Sequence, residues 1–133
     1  MEEQKRKQAL HILSQIYADA RPALHYNTAY ELLVAVILSA QCTDERVNKV
    51  TAELFKEHNT PQTMLELSQE ELEKYIFSCG LYKSKAAHIL SASRDIVDKF
   101  SGQVPSGFSD LKSLAGVGQK TANVVLSVWF EKD

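Results

Sequence analysis

The chain has 133 residues, 44% of them hydrophobic and 24% charged, with a formal net charge of −2. That is the size of one domain able to bury a core, and the balance excludes disordered and collagen-like classes. The longest apolar run, Leu32 to Leu38, is far too short to span a bilayer, and the start "MEEQKRKQALHIL" has no signal-peptide core. A cytoplasmic protein with no membrane partner is the expectation.

From the N-terminus, Leu10, Leu13, Ile16 and Tyr17 recur at helical spacing over 2–18, and Pro22 ends that helix. Thr28 with Glu31 three residues on reads as a capping box that opens a helix running to about Ala40, buried on most sides. "QCTDERVNKVTAELFKEH" shows Val47, Val50, Leu54 and Phe55 on one helical face. Pro61 suits a helix start, and Ser68 with Glu71 forms a second capping box ahead of Leu72, Tyr75 and Ile76. Gly80 is the expected stop of that helix. A further helix is predicted from about Ser84 to Phe100, then the turn "SGQVPSG", a short helix around Phe108, Leu111 and Leu114, and a last helix from about Gly118 to Phe130. No strand alternation persists, so the expected fold is an all-α bundle of six or seven helices.

Charge is unevenly spread along these helices. Residues 53–74 hold six glutamates against Lys56 and Lys74, a local −4, which leaves +2 on the rest. Tyr82 to Lys99 carries Lys83, Lys85, Arg94 and Lys99 against Asp95 and Asp98. That pattern fits either a modest basic face for nucleic acid or an ordinary solvated helix face. The two cysteines, Cys42 and Cys79, lack CxxC spacing and read as reduced thiols. Two thiols cannot build an iron–sulfur cluster, which takes four.

The most informative stretch is "LAGVGQKTANVV", Leu114 to Val125. It is not a Walker phosphate loop, because Gln119 stands where glycine must precede Lys-Thr and Leu114 where the first glycine belongs. It is not a dinucleotide fingerprint, because Thr121 stands where the third glycine belongs. Glycines permit positive φ and close approach, and a helix starting near Gly118 presents open N–H groups to an anion. Backbone contact to phosphate reads no base identity, which suits nonspecific grip on DNA. The alternative is a tight helix–helix turn whose glycines serve packing alone. In the first helical turn the dipole disfavours the cation on Lys120, so this lysine is a candidate amine nucleophile able to form a Schiff base. A purely phosphate-binding role for Lys120 stays open at this point.

"LAGVGQKTANVVL" resembles the helix-hairpin-helix of the endonuclease III DNA glycosylases. "YELLVAVILSAQCTDERVNKVTAELF" and "GLYKSKAAHIL" resemble other stretches of that family, in order, so the resemblance spans about 5–130. It implies a six-helix barrel, here about 21–133 and ending in the hairpin at about 108–130. The N-terminal helix, about 1–20, would belong to the second, cluster-bearing domain. The implied activity is base-excision repair: an oxidised pyrimidine is flipped from the duplex, its glycosidic bond is cut, and the abasic site is cleaved by β-elimination.

By position, Lys120 resembles the Schiff-base nucleophile, and Gly116, Val117, Gly118 and Thr121 the phosphate-holding hairpin. The carbonyls of Leu114 and Val117 match a monovalent-cation site. Gln41 matches a residue that fills the gap left by the flipped base, and Leu81 a wedge from the other side. Ser39 and Asp44 match polar positions near the pocket. Adenine glycosylases, a related class, carry a catalytic glutamate where Val36 stands and lack the lysine. The implied partner is double-stranded DNA with damaged pyrimidines or abasic sites, in the nucleoid if the source is bacterial.

The catalytic aspartate and the four cysteines of the family's [4Fe–4S] cluster would lie beyond Asp133. The expectation is therefore a truncated glycosylase lacking most of the cluster domain, of little or no base-excision activity, and able to self-associate through the barrel surface so exposed. A noncatalytic DNA-binding module and a purely structural helical domain are the alternatives. The first predicts salt-dependent binding without a covalent adduct, the second no DNA phenotype.

Overall fold

The structure is a computed structural model that describes residues 24–131. The expected helix over 2–18 and its assignment to another domain lie outside the described residues. Among those described there are seven α-helices and no strand: α1 Ala29–Leu38, α2 Asp44–Leu54, α3 Pro61–Met64, α4 Gln69–Ile76, α5 Tyr82–Lys99, α6 Phe108–Lys112 and α7 Gln119–Val128. The all-α expectation holds.

α1 is the central strut. Tyr30, Glu31, Leu32, Leu33, Val34, Ala35, Ile37 and Leu38 are all buried, because α1 is packed by α2, α5 and α7 and a helix apolar all round must be enclosed. α5 in turn packs on α3 and α4, and α6 on α7. Leu32, Leu54, Met64, Leu72, Ile76, Ile96 and Leu111 are fully inaccessible, and such a side chain contributes about 1.5–3 kcal/mol. The Tyr30 hydroxyl reaches Ser93 Oγ at 2.6 Å, and that hydroxyl donates to the Ile89 carbonyl at 2.7 Å. The chain thereby ties α1 to α5, and burial pushes the Tyr30 phenol well above its usual range.

Helix ends depart from the sequence expectations in three places. At α1, Thr28 Oγ1 accepts the Glu31 N–H at 3.0 Å, but the Glu31 carboxylate does not close the box onto Thr28. It accepts the Asn27 N–H at 2.8 Å and the Asn59 side-chain amide at 3.3 Å, so a buried carboxylate joins the start of α1 to the loop before α3. The Ser68–Glu71 box forms in full, and its hydrogen bonds hold the Glu71 carboxyl below the usual range. Gly80 is not the stop of α4: that helix ends at Ile76 with Phe77 as its cap, and Gly80 is not left-handed. Leu81 is, at φ 58°, and α5 begins at Tyr82 rather than near Ser84.

Candidate nucleic-acid interface

The short loop between α6 and α7 turns on Gly116, whose φ of 78° suits glycine. A Cβ there would stand 2.8 Å from the Cβ of His88 on α5, so the loop also needs the missing side chain to seat on that helix. Gly118 differs. It is extended, with φ −96° and ψ −170°, and a Cβ on it would meet nothing within 4 Å. Only the first glycine is required by conformation; the second leaves the mouth of α7 open.

Leu114 and Val117 anchor the loop from below, both buried. The Leu114 carbonyl accepts the Val117 N–H at 3.1 Å, leaving it one lone pair. Gly118 caps α7 without a side-chain hydrogen bond, so the first-turn amides of Gln119, Lys120 and Thr121 face outward at the positive end of the helix. Lys120 is exposed and Thr121 half-buried. This is an anion-receptive backbone with an amine in its first turn.

A second cluster lies where α1 passes to α2 and α4 to α5. Gln41 and Leu81 both hold left-handed backbones, φ 57° and 58°, and both are exposed, Leu81 by 58%. Such a conformation costs a non-glycine residue about 1–2 kcal/mol and persists only where the surroundings impose it. The two loops pass close together: a Cβ on Gly80 would lie 3.5 Å from the Gln41 carbonyl oxygen. Ser39, half-buried, caps α1 and donates its hydroxyl to the Val36 carbonyl at 2.7 Å. Asp44, also half-buried, opens α2 behind the Thr43 cap.

α5 joins the two clusters. Leu81 is its cap and His88 supports the hairpin, a separation of about 10 Å along the axis at 1.5 Å per residue. The structure thus brings the Gln41 loop beside Gly80, the neighbour of Leu81, and sets Leu81 on the helix that backs the Gly116 turn.

Lys85 belongs to neither a basic face nor solvent. It is only 4% exposed, and its Nζ donates to the carbonyls of Leu38 at 2.8 Å and Ala40 at 2.6 Å. Desolvation pushes its pKa down, opposed by the Cys79 and Cys42 thiols. Burial, with the Cys42 hydrogen bond next, pushes the Cys79 thiol up to about 12. The sequence did hold a signal for this: Lys85 shares the helical face of Ile89, Ala92 and Ile96, the face that is buried.

Residues 34–130 match the model of the HhH-GPD superfamily of base excision DNA repair proteins. The chain belongs to this superfamily. It is 52% identical over 107 residues to endonuclease III of Haemophilus influenzae, covering 80% of this chain and 51% of that protein. Identity to endonuclease III of Synechocystis is 46% over 124 residues, covering 93% and 57%. A solved structure of a trapped endonuclease III–DNA covalent intermediate, an estranged-adenine complex, superposes with TM-score 0.83 at 44% identity, over 96% of this chain and 60% of that one. The chain thus spans between half and two thirds of the length of these superfamily members.

A [4Fe–4S] cluster takes four thiolates, and the chain has Cys42 and Cys79 alone. Among the described residues no group of three or more His, Cys, Asp or Glu side chains is placed to hold a metal ion. These residues do not fit that cofactor. No helix among them is long and apolar enough to cross a membrane.

Proposed function

We propose that this chain is the lesion-gripping part of a DNA glycosylase and abasic-site lyase acting on oxidised pyrimidines. The observation that carries the reading is Lys120, exposed in the first turn of α7 beside an uncapped helix end and a glycine turn. The α7 amides would hold a backbone phosphate without reading sequence. That contact would set the sugar of the target nucleotide against Lys120 Nζ.

The neutral amine adds to C1′ of the opened abasic sugar, and loss of water leaves an iminium. Loss of a C2′ proton then expels the 3′ phosphate by β-elimination, and hydrolysis of the imine returns Lys120. Gln41 and Leu81 would enter the duplex from the two adjoining loops, Gln41 filling the vacated space and Leu81 parting the stack. Ser39 and Asp44 would line the pocket, and the carbonyls of Leu114 and Val117 would hold a monovalent cation under the phosphate loop. Val36, apolar, gives no support to the glutamate chemistry of adenine glycosylases.

The direct test is borohydride trapping on duplexes carrying an abasic site or thymine glycol. A polypeptide of these 133 residues is expected to form an adduct on the preformed abasic site and to release little base from thymine glycol, because the implied catalytic aspartate is not among them. Lys120→Ala should abolish the adduct while leaving salt-dependent DNA binding. Binding with no adduct in the parent chain would support the noncatalytic module instead.

A further inference from the structure

We infer that Lys85 is a positioning residue that holds Gln41 in its DNA-entering posture; the inference rests on the proposed role of Gln41 as the gap filler. Four observations meet around this one residue. Its ammonium is buried, and it spends two donors on the carbonyls of Leu38 and Ala40, the end of α1 and the residue before Gln41. The Leu38 carbonyl is among the groups a helix terminus leaves without partners, and the Ala40 carbonyl lies just beyond the Ser39 cap. Gln41 itself sits left-handed at φ 57°, a conformation with no glycine to ease it. The Lys85 backbone N–H meanwhile accepts no freedom either: it donates to the Leu81 carbonyl at 2.9 Å.

One residue therefore joins both left-handed positions, through its side chain to the Gln41 loop and through its backbone to Leu81. Burying an ammonium carries a large desolvation cost. Among the described residues no carboxylate bonds it; two carbonyls at the negative end of α1 do. A lysine kept only for packing would be replaceable by methionine. A lysine that fixes the carbonyl of Ala40 fixes the direction in which the next residue leaves. The backbone bond to Leu81 survives any side-chain substitution, so loss of the Lys85 ammonium acts through Gln41.

The test is a double-mutant cycle on the full 133-residue chain. Affinity is measured by anisotropy for a duplex with a tetrahydrofuran abasic analogue and for the same duplex undamaged. A 2-aminopurine opposite the analogue reports how the facing base is stacked. Lys85→Met and Gln41→Ala should each lower the preference for the analogue about tenfold and change the 2-aminopurine signal alike. In the Gln41→Ala background, Lys85→Met should add nothing. Circular dichroism reports folding; where Lys85→Met unfolds, Lys85→Arg, which keeps donors and charge, takes its place and should show a smaller loss with the same absence of additivity.

If both single variants lose preference and their effects multiply, or if the Lys85 variant weakens undamaged DNA equally, the positioning role is wrong and the gap-filling role stands. If Gln41→Ala leaves the preference unchanged, the gap-filling role itself fails and the inference falls with it.

Discussion

The α6–α7 hairpin and the Gln41–Leu81 platform both need left-handed backbone, and they obtain it in opposite ways. The hairpin uses glycine: Gly116 takes φ 78° and leaves room for His88. The platform uses Gln41 and Leu81, which carry a steric penalty there, beside a buried lysine that bonds the Ala40 carbonyl. The difference follows from what each region presents. In the proposed function the hairpin offers backbone to a phosphate, for which a side chain is an obstruction. The platform offers side chains, so glycine would empty it of the groups proposed to enter DNA.

Substitutions can break this contrast. The largest effect is expected for Gly116→Ala, which adds both the positive-φ strain and the 2.8 Å approach to His88 Cβ. It should destabilise the chain by about 1–3 kcal/mol in chemical denaturation, whereas an unchanged midpoint would mean the loop shifts freely.

The platform should be the alkali-sensitive region. The Cys79 thiol, beside Cys42, Lys85 and Arg46, has its pKa raised from 9.0 to about 12 on folding. Its protonated form is favoured by the fold, so its contribution is complete below pH 9 and is lost as pH rises toward 12. Lys85, lowered from 10.5, acts in the reverse sense and gains as pH rises to that value. Wild-type stability should fall once pH passes 10.5, where Lys85 no longer offsets Cys79, and Cys79→Ala should flatten the decline; equal slopes would place the sensitivity elsewhere.

The smallest stability change belongs to Leu81→Gly. It removes a left-handed, 58% exposed leucine, so relief of strain offsets the added freedom of the unfolded chain. Stability should hold or rise by up to about 1 kcal/mol while preference for abasic-analogue DNA drops. A large loss of stability would make Leu81 a packing residue.

These two regions were unequally legible in the sequence. The hairpin could be read directly, since Gly-Val-Gly before a helix carries its own physical reason, although only Gly116 turned out to need positive φ. Helix existence and type were legible from periodicity, and the Ser68–Glu71 box from its spacing. The Thr28–Glu31 box was half right because the carboxylate goes instead to the Asn27 N–H and to a tertiary partner, Asn59. Gly80 misled because local rules give the left-handed position to glycine, while here the next residue, Leu81, takes it. Lys85 was read as part of a charged face, since composition counts its charge and not the helical face it occupies. Gln41 and Leu81 came from family resemblance, and nothing local predicts their backbones.

In the proposed function the hairpin grips DNA without regard to damage and the platform supplies the regard. This division is tested most directly by the affinity ratio between tetrahydrofuran and undamaged duplexes for Gly116→Ala and Gln41→Ala side by side. Gly116→Ala should weaken both duplexes by the same factor and leave the ratio intact, while Gln41→Ala should weaken only the damaged one. A ratio that collapses in Gly116→Ala, or survives in Gln41→Ala, would contradict the account.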